Sequence, residues 1–513
     1  MNGADQLISS LLAGGVDTVF ANPGTSEMHF VAGLDRHPDI RGILCLFEGV
    51  ATGAADGFAR VTGRPAATLL HLGPGLGNGW ANLHNARRAH VPLINIVGDH
   101  ATYHAHFDAP LQSDVVGLAH TVSARVENPK SAAEIAEAVS RAIATATGRP
   151  GAIATIILPA DASWGEIEAL RAASTPPRVA ARVDESELSR ARRLLREPGT
   201  CVFLGGEALS APGLAAAQKL ASGGVRVMSE TFPTRQAGGA SRFTPERLIY
   251  LSEFAQAQLA TVSTLIVVGG RAPVGFFAYP DVASELLPAG CDVMVLADET
   301  HDVVAVLDDL ADGYQGSELE TSPLVVPTGD LTTLSMAQAV ASTLPADAII
   351  ADESNTGGIH LYGQLAHSAP HDLLTLTGGS IGFGLPVALG AAVGGGGRRV
   401  VALESDGSMM YTPQALWSMA REGCDVTVVG LSNRSYGILN LERQRVGAVE
   451  GGSTSQRMLD LDNPALQLAE VARGMGVPAR TVHSADELVV ALRESYETAG
   501  PTFIEAMLPK GLS

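Results

Sequence analysis

Short apolar runs alternate with helix-like stretches along the whole chain, and this alternation limits the fold more than any other feature. The first set of runs falls at 16–20, 42–47, 67–71, 93–97 and 152–158. Apolar strands of this length need cover on both faces, which helices packed above and below a parallel sheet provide. The chain is therefore expected to be α/β, built from doubly wound parallel sheets. At 513 residues it is too long for a single core. The pattern restarts after residues 164–182, a stretch with Pro176-Pro177 and no strand signal, and again after the polar stretch 312–327. Strands of the second set are expected at 200–204, 225–228, 264–268 and 292–296. Those of the third are expected at 348–351, 373–375, 399–403, 426–431 and 502–506. Three units follow, at 1–163, 183–311 and 328–513, each of ordinary domain size.

Charge and composition narrow the function. The net charge is −20 and no basic cluster with interleaved aromatics occurs, which argues against a nucleic-acid surface. No uninterrupted apolar run is long enough for a membrane span. The start, Met1-Asn2-Gly3-Ala4-Asp5-Gln6, lacks the basic residues of a signal peptide. A cytoplasmic protein with no membrane partner is expected. Cys45, Cys201, Cys291 and Cys424 lack metal-ligand or redox spacing, so the expectation for them is burial as small hydrophobes.

Architecture of this kind serves many functions, so individual residues have to carry the chemistry. Glu404-Ser405-Asp406-Gly407-Ser408 follows an apolar run, and Leu431-Ser432-Asn433-Arg434-Ser435-Tyr436-Gly437 closes the next one. A helix-like stretch at 412–422 lies between them. Two parallel strand ends joined by a helix bring Asp406 and Asn433 to one edge of a sheet, although 27 positions separate them. One carboxylate, one amide oxygen and a nearby backbone carbonyl suit Mg²⁺, which needs a diphosphate and water to finish its octahedron. Gly407 and Ser408 open the next helix, where free N–H groups favour a phosphate. An Asp-Gly pair after a strand is also an ordinary turn; the spacing to Asn433 favours the metal and phosphate reading.

Together these residues resemble the GDG…NN cofactor motif of thiamine-diphosphate (ThDP) enzymes, with Ser405 for the first Gly and Ser432 for the first Asn. The resemblance implies that Asp406, Asn433 and the Ser435 carbonyl bind Mg²⁺, with cofactor contacts from Gly407, Ser408 and Tyr436. The likeness covers the whole chain and is to the acetolactate synthase, benzoylformate decarboxylase and pyruvate oxidase group. That group has a pyrimidine-binding domain, a middle domain and a diphosphate-binding domain, in the order of the three units. Asn22-Pro23-Gly24-Thr25-Ser26-Glu27 is similar to the Asn-Pro-Gly-Ser turn of benzoylformate decarboxylase. Phe47-Glu48-Gly49-Val50-Ala51 matches the glutamate segment of the group, where most members carry His in place of Phe47. By this match Glu48 bonds the cofactor's pyrimidine ring nitrogen, a task suited to a carboxyl in a dry site with a raised pKa. In Thr377-Gly378-Gly379-Ser380-Ile381-Gly382, the Gly379 carbonyl would receive the pyrimidine amino group. Ile381 would wedge the cofactor into its bent shape, a role that fits a stiff β-branched side chain. On composition alone, the same segment is simply a glycine turn before a helix. Asn355 and Thr356 align with residues that contact the diphosphate.

On the substrate side, His71 matches the active-site histidine of benzoylformate decarboxylase, with Thr25 in place of its serine. The second active-site histidine of that enzyme has no counterpart, since Phe276-Phe277 occupy the corresponding stretch. His100, His104 and His106 cluster where the family has the mouth of its active site, and His104 joins Glu48, His71 and Thr25 as a catalytic candidate. Glu442 is expected to face the same cavity. The glycines beside Glu207 and Arg271 form no extended FAD fingerprint, so FAD is not expected. The resemblance implies a ThDP- and Mg²⁺-dependent decarboxylase, carboligase or lyase acting on a 2-oxo acid or 2-hydroxy carbonyl compound. It also implies a homodimer or homotetramer with active sites between subunits. The departures at Phe47 and Ser405 raise one alternative, a catalytically weak synthase homologue acting through a partner subunit.

Overall fold

The computed structural model describes residues 1–168, 179–319, 322–448 and 452–510. Most of the connection expected at 164–182 lies outside these residues, as do positions 320–321 of the polar stretch 312–327. The first sheet joins β1 (Thr18–Asn22), β2 (Arg41–Leu44), β3 (Ala66–Leu70), β4 (Leu93–Asp99), β5 (Arg125–Glu127) and β6 (Ile153–Pro159) in the order β2-β1-β3-β4-β6-β5. Next come β7 (Thr200–Leu204), β8 (Arg226–Ser229), β9 (Gln236–Gly238), β10 (Glu246–Arg247), β11 (Thr264–Val268) and β12 (Asp292–Ala297). All of these but β9 form a second sheet, ordered β10-β8-β7-β11-β12. The third sheet takes β13 (Ala348–Glu353), β14 (His371–Thr375), β15 (Val400–Ser405), β16 (Val426–Ser432), β17 (Ala479–Val482) and β18 (Thr502–Met507). Its order is β17-β18-β16-β15-β13-β14-β9, and only the β14–β9 pair is antiparallel.

The sheets are buried as their apolar runs require: β6 and β16 are covered at every position. Two expectations shift. The run at 42–47 leaves the sheet after Leu44, and Phe47 becomes the extended cap of a helix that begins at Glu48 and ends at Thr62. An acidic residue in the first turn suits the positive end of the helix dipole. The other shift is β9, which the middle segment lends to the edge of the third sheet. Among the described residues no helix is long and apolar enough to cross a membrane.

The first and third units share one core, in which Phe20, Val50, Leu389 and Val428 belong to the same buried cluster. Its seam is the contact between helices Glu48–Thr62 and Gly384–Gly394. A side chain at Gly57 would start 2.1 Å from the Val387 carbonyl oxygen, and one at Gly390 would start 1.8 Å from that of Ala54. Only glycine permits this backbone approach. Arg60 locks the seam: it pairs with Asp56 (2.7 and 2.9 Å) and donates to the Thr375 and Thr234 carbonyls (2.8 and 3.1 Å). Both side chains of the pair are fully buried.

Candidate active site

In the third sheet, β13 and β14 run to one side and β15 and β16 to the other. The crevice at the C-terminal ends of β13 and β15 is thus the switch point, where open α/β sheets bind ligands. Asn355 follows β13, Ser405 ends β15, and Asn433 follows β16, so three candidates border this crevice. Asn355 has a left-handed backbone (φ 48°), and its Nδ2 donates to Ser405 Oγ (3.0 Å) and Ser408 Oγ (2.9 Å). Ser405 Oγ donates to the Glu353 carbonyl (3.1 Å), and its φ of −72° places no demand for glycine. The serine in the motif's glycine position is therefore tied to the neighbouring strand end.

Asp406 is buried and starts the short helix Asp406–Met409. Its carboxylate accepts from Gly407 N (2.8 Å) and Arg434 N (2.6 Å). Burial raises its pKa, against the pull of those N–H groups. Arg434 is left-handed (φ 58°), and the turn lets Asn433 Oδ1 accept from Ser435 N (3.0 Å). The Tyr436 ring covers Gly407, 2.3 Å from where a side chain there would start. Thr356 Oγ1 and Asn433 Nδ2 lie 3.0 and 3.5 Å from the same point on Gly437. Asp406, Asn433 and the Ser435 carbonyl offer only hard oxygens, a donor set that fits Mg²⁺ beside a diphosphate. Among the described residues no group of three or more His, Cys, Asp or Glu could hold a metal ion.

Two carboxylates behind this edge were missed by the sequence reasoning. Glu353 and Glu404 are register partners at the ends of β13 and β15, and both are buried. Glu353 accepts from Gly382, Phe383 and Gly384 N (2.8, 2.8 and 2.6 Å), which anchors the turn carrying Gly379 and Ile381. Burial pushes Glu353 up to about 7. Burial, and then the charges of Glu353 and Asp352, push Glu404 well above the usual carboxylate range. Gly379 has φ 73° with open space where a side chain would stand, and Ile381 packs against the shared core.

On the first unit, Glu48 is nearly buried and accepts from Asn78 Nδ2 (3.0 Å). Phe47 packs its ring on Gly49, within 2.5 Å of a side-chain position there. Asn82 Nδ2 donates to the Gly49 and Gly382 carbonyls (2.9 and 3.1 Å), linking the starts of the two seam helices. His71 caps the helix Leu72–Arg88, and its Nδ1 lies 2.9 Å from Glu27 Oε2. Gly75 N donates to the His71 carbonyl (2.8 Å). A side chain at Gly75 would begin 3.3 Å from Glu48 Oε1. Glu48 and His71 therefore flank one helix start. Thr25 stands exposed in the turn Thr25–Glu27.

Residues 1–122 match the thiamine pyrophosphate enzyme N-terminal TPP binding domain, and residues 357–506 match its C-terminal TPP binding domain. The chain belongs to the thiamine pyrophosphate enzyme family. A Mycobacterium tuberculosis protein that bears the provisional name acetolactate synthase large subunit IlvX is 51% identical, over 99% of both chains. Benzoylformate decarboxylase of Pseudomonas aeruginosa is 31% identical over 96% of both. The solved thiamine diphosphate-dependent 4-hydroxybenzoylformate decarboxylase of Rhodococcus jostii RHA1 has a TM-score of 0.84 at 25% identity, covering 100% of each chain. These likenesses make the chain a ThDP-dependent enzyme of the acetolactate synthase and benzoylformate decarboxylase type.

Two further candidates of this ThDP enzyme make contacts with other groups. His104 is exposed, its ring 5.6 Å from that of His100 and 5.5 Å from that of Phe107. Glu442 accepts from Arg445 Nη1 (2.8 Å) and from the Tyr279 hydroxyl, so its carboxylate belongs to a clasp with the middle unit. Arg445 completes that clasp over the Tyr279 ring (3.8 Å) and on Glu253 (2.6 Å). Glu27 also escaped the sequence reading. Its one local signal was its place three residues after Gly24, whose N–H it accepts (2.7 Å). Cys45, Cys201 and Cys424 are buried, and Cys291 is half-buried.

Proposed function

We propose that this ThDP enzyme decarboxylates a 2-oxo acid and releases an aldehyde or joins the remaining fragment to a second carbonyl compound. The observation that carries this reading is the placing of Glu48 and His71, a carboxyl and an imidazole, around one helix start. ThDP, when bound, supplies the electron sink that lets the bond beside the substrate carbonyl break. Glu48 holds a proton at the pyrimidine ring nitrogen, and the Gly379 carbonyl takes the pyrimidine amino group. Ile381 would pack against the bound cofactor from the core side. Asp406, Asn433 and the Ser435 carbonyl hold Mg²⁺, while Asn355, Thr356, Gly407, Ser408 and Tyr436 surround the diphosphate. His71 moves a proton to the substrate, and the Thr25 hydroxyl orients the substrate carboxylate.

In this reading the unit at 1–163 binds the pyrimidine, that at 328–513 binds the diphosphate, and that at 183–311 joins them. Two copies complete each site, giving a dimer or tetramer. Exposed apolar side chains beside both half-sites support this: Leu46 (45%) next to Glu48, and Met410 (39%) and Tyr411 (53%) next to Asp406. The bonded Ser405 hydroxyl favours a competent site over a weak homologue that depends on a partner. A panel of aliphatic and aryl 2-oxo acids, followed for CO₂ and for aldehyde or ligation product, tests the proposal. Release of CO₂ from at least one class is expected; none from any acid, with ThDP and Mg²⁺ present, overturns it.

A further inference from the structure

We propose that Glu27 is the positioning residue for His71 and selects the ring nitrogen that meets the substrate. The inference rests on the reading of His71 as the group that carries a proton, and it names the residue through which that group is set. Glu27 is fully buried, and its Oε2 takes two contacts, Gly24 N at 2.7 Å and His71 Nδ1 at 2.9 Å. Burial raises the Glu27 pKa, and the Gly24 N–H and His71 oppose that rise. A carboxylate in such a place is costly unless it is paired.

The surrounding backbone is shaped for the pair. Glu27 Oε1 has no hydrogen-bond partner and lies against Gly98 in β4, where a side chain would begin 1.6 Å away. The His71 ring lies against Gly24, whose missing side chain would begin 2.3 Å from its Cγ and Nδ1. Two glycines, just beyond β1 and within β4, therefore clear the space that one carboxylate and one ring occupy at the end of β3.

The consequence is chemical. With Nδ1 taken by Glu27 and the side chain 23% exposed, Nε2 is the nitrogen left for the substrate. A carboxylate partner puts the neutral ring's proton on Nδ1 and leaves a lone pair on Nε2; the charged ring then offers Nε2–H. In turnover Nε2–H gives its proton to the carbon that has lost CO₂. The ring returns to its neutral Nδ1–H form, and solvent restores the Nε2 proton.

Nitrogen-15 NMR of the full-length, cofactor-free protein with labelled histidine reads the tautomer directly, the His71 signals being assigned by their loss in His71→Gln. The neutral ring is expected to carry its proton on Nδ1; a proton on Nε2 overturns the proposal. In the ThDP- and Mg²⁺-loaded enzyme, Glu27→Gln is expected to lower kcat about 10–100-fold with KM changed less than about threefold. Because Glu27 acts through His71, the double variant Glu27→Gln/His71→Gln is expected to be no slower than His71→Gln alone. Losses that multiply, accompanied by a fallen melting temperature, would show a merely structural role and overturn the proposal. A His71→Gln enzyme with wild-type kcat defeats instead the reading of His71 as proton carrier, while the NMR result still decides whether Glu27 orients the ring.

Discussion

Glu48 stands in the first turn of a buried helix with Asn78 as its side-chain hydrogen-bond partner. Glu48→Gln keeps the size and the contact but removes the capacity to share a proton. Decarboxylation is expected to fall about 10²–10⁴-fold, while calorimetry finds ThDP affinity within about threefold; an unchanged rate would remove Glu48 from the mechanism. The places of Asp406 and Asn433 just beyond strand ends were legible, because the apolar runs before them announce the strands. Glu27 and Glu353 were not, because each bonds groups supplied by another element. Glu27 meets a histidine 44 residues on, and Glu353 meets N–H groups 29 to 31 residues away. Glu442 likewise meets a partner from the middle segment, Tyr279.

At the scale of elements, the parallel strands follow from composition, because a strand buried on both faces must be apolar along its length. β7 and β11 begin and end where their runs do. β9 could not be read this way: Gln236-Ala237-Gly238 has no apolar run, and the exposed edge of β14 makes it a strand. The seam between the first and third units was equally hidden, since it depends on glycines facing backbone across two helices. Its charged lock gives a test. Burial raises the Asp56 pKa and Arg60 opposes the rise, so removing Arg60 strands a charge in the core. Arg60→Met is expected to cost about 3–5 kcal/mol in denaturant unfolding; a loss near zero would mean that the ion pair is not what closes the seam.

For the whole molecule, the succession of three sheets was visible in the restarts of the strand pattern, whereas the joints between them were not. One joint is Asp372, which accepts from Arg235 of the middle segment (2.9 Å) and Arg398 of the third unit (2.7 Å). Burial raises its pKa, but the two guanidinium groups outweigh that and hold it below the usual carboxylate range. A pKa depressed on folding contributes stability that is complete above about pH 4 and is lost as pH falls through the folded value. The melting temperature is therefore expected to drop on acidification below about pH 4, and Asp372→Asn to flatten that drop. Equal slopes in both proteins would assign the acid sensitivity elsewhere. At the β13–β15–β16 edge, Asp406, Asn433 and the Ser435 carbonyl are proposed to join a metal to a diphosphate. Titration calorimetry of the metal-free, cofactor-free protein with ThDP tests it most directly. Saturable binding with Mg²⁺ and none with a chelator is the expected result; equal binding in both, or none in either, would contradict it.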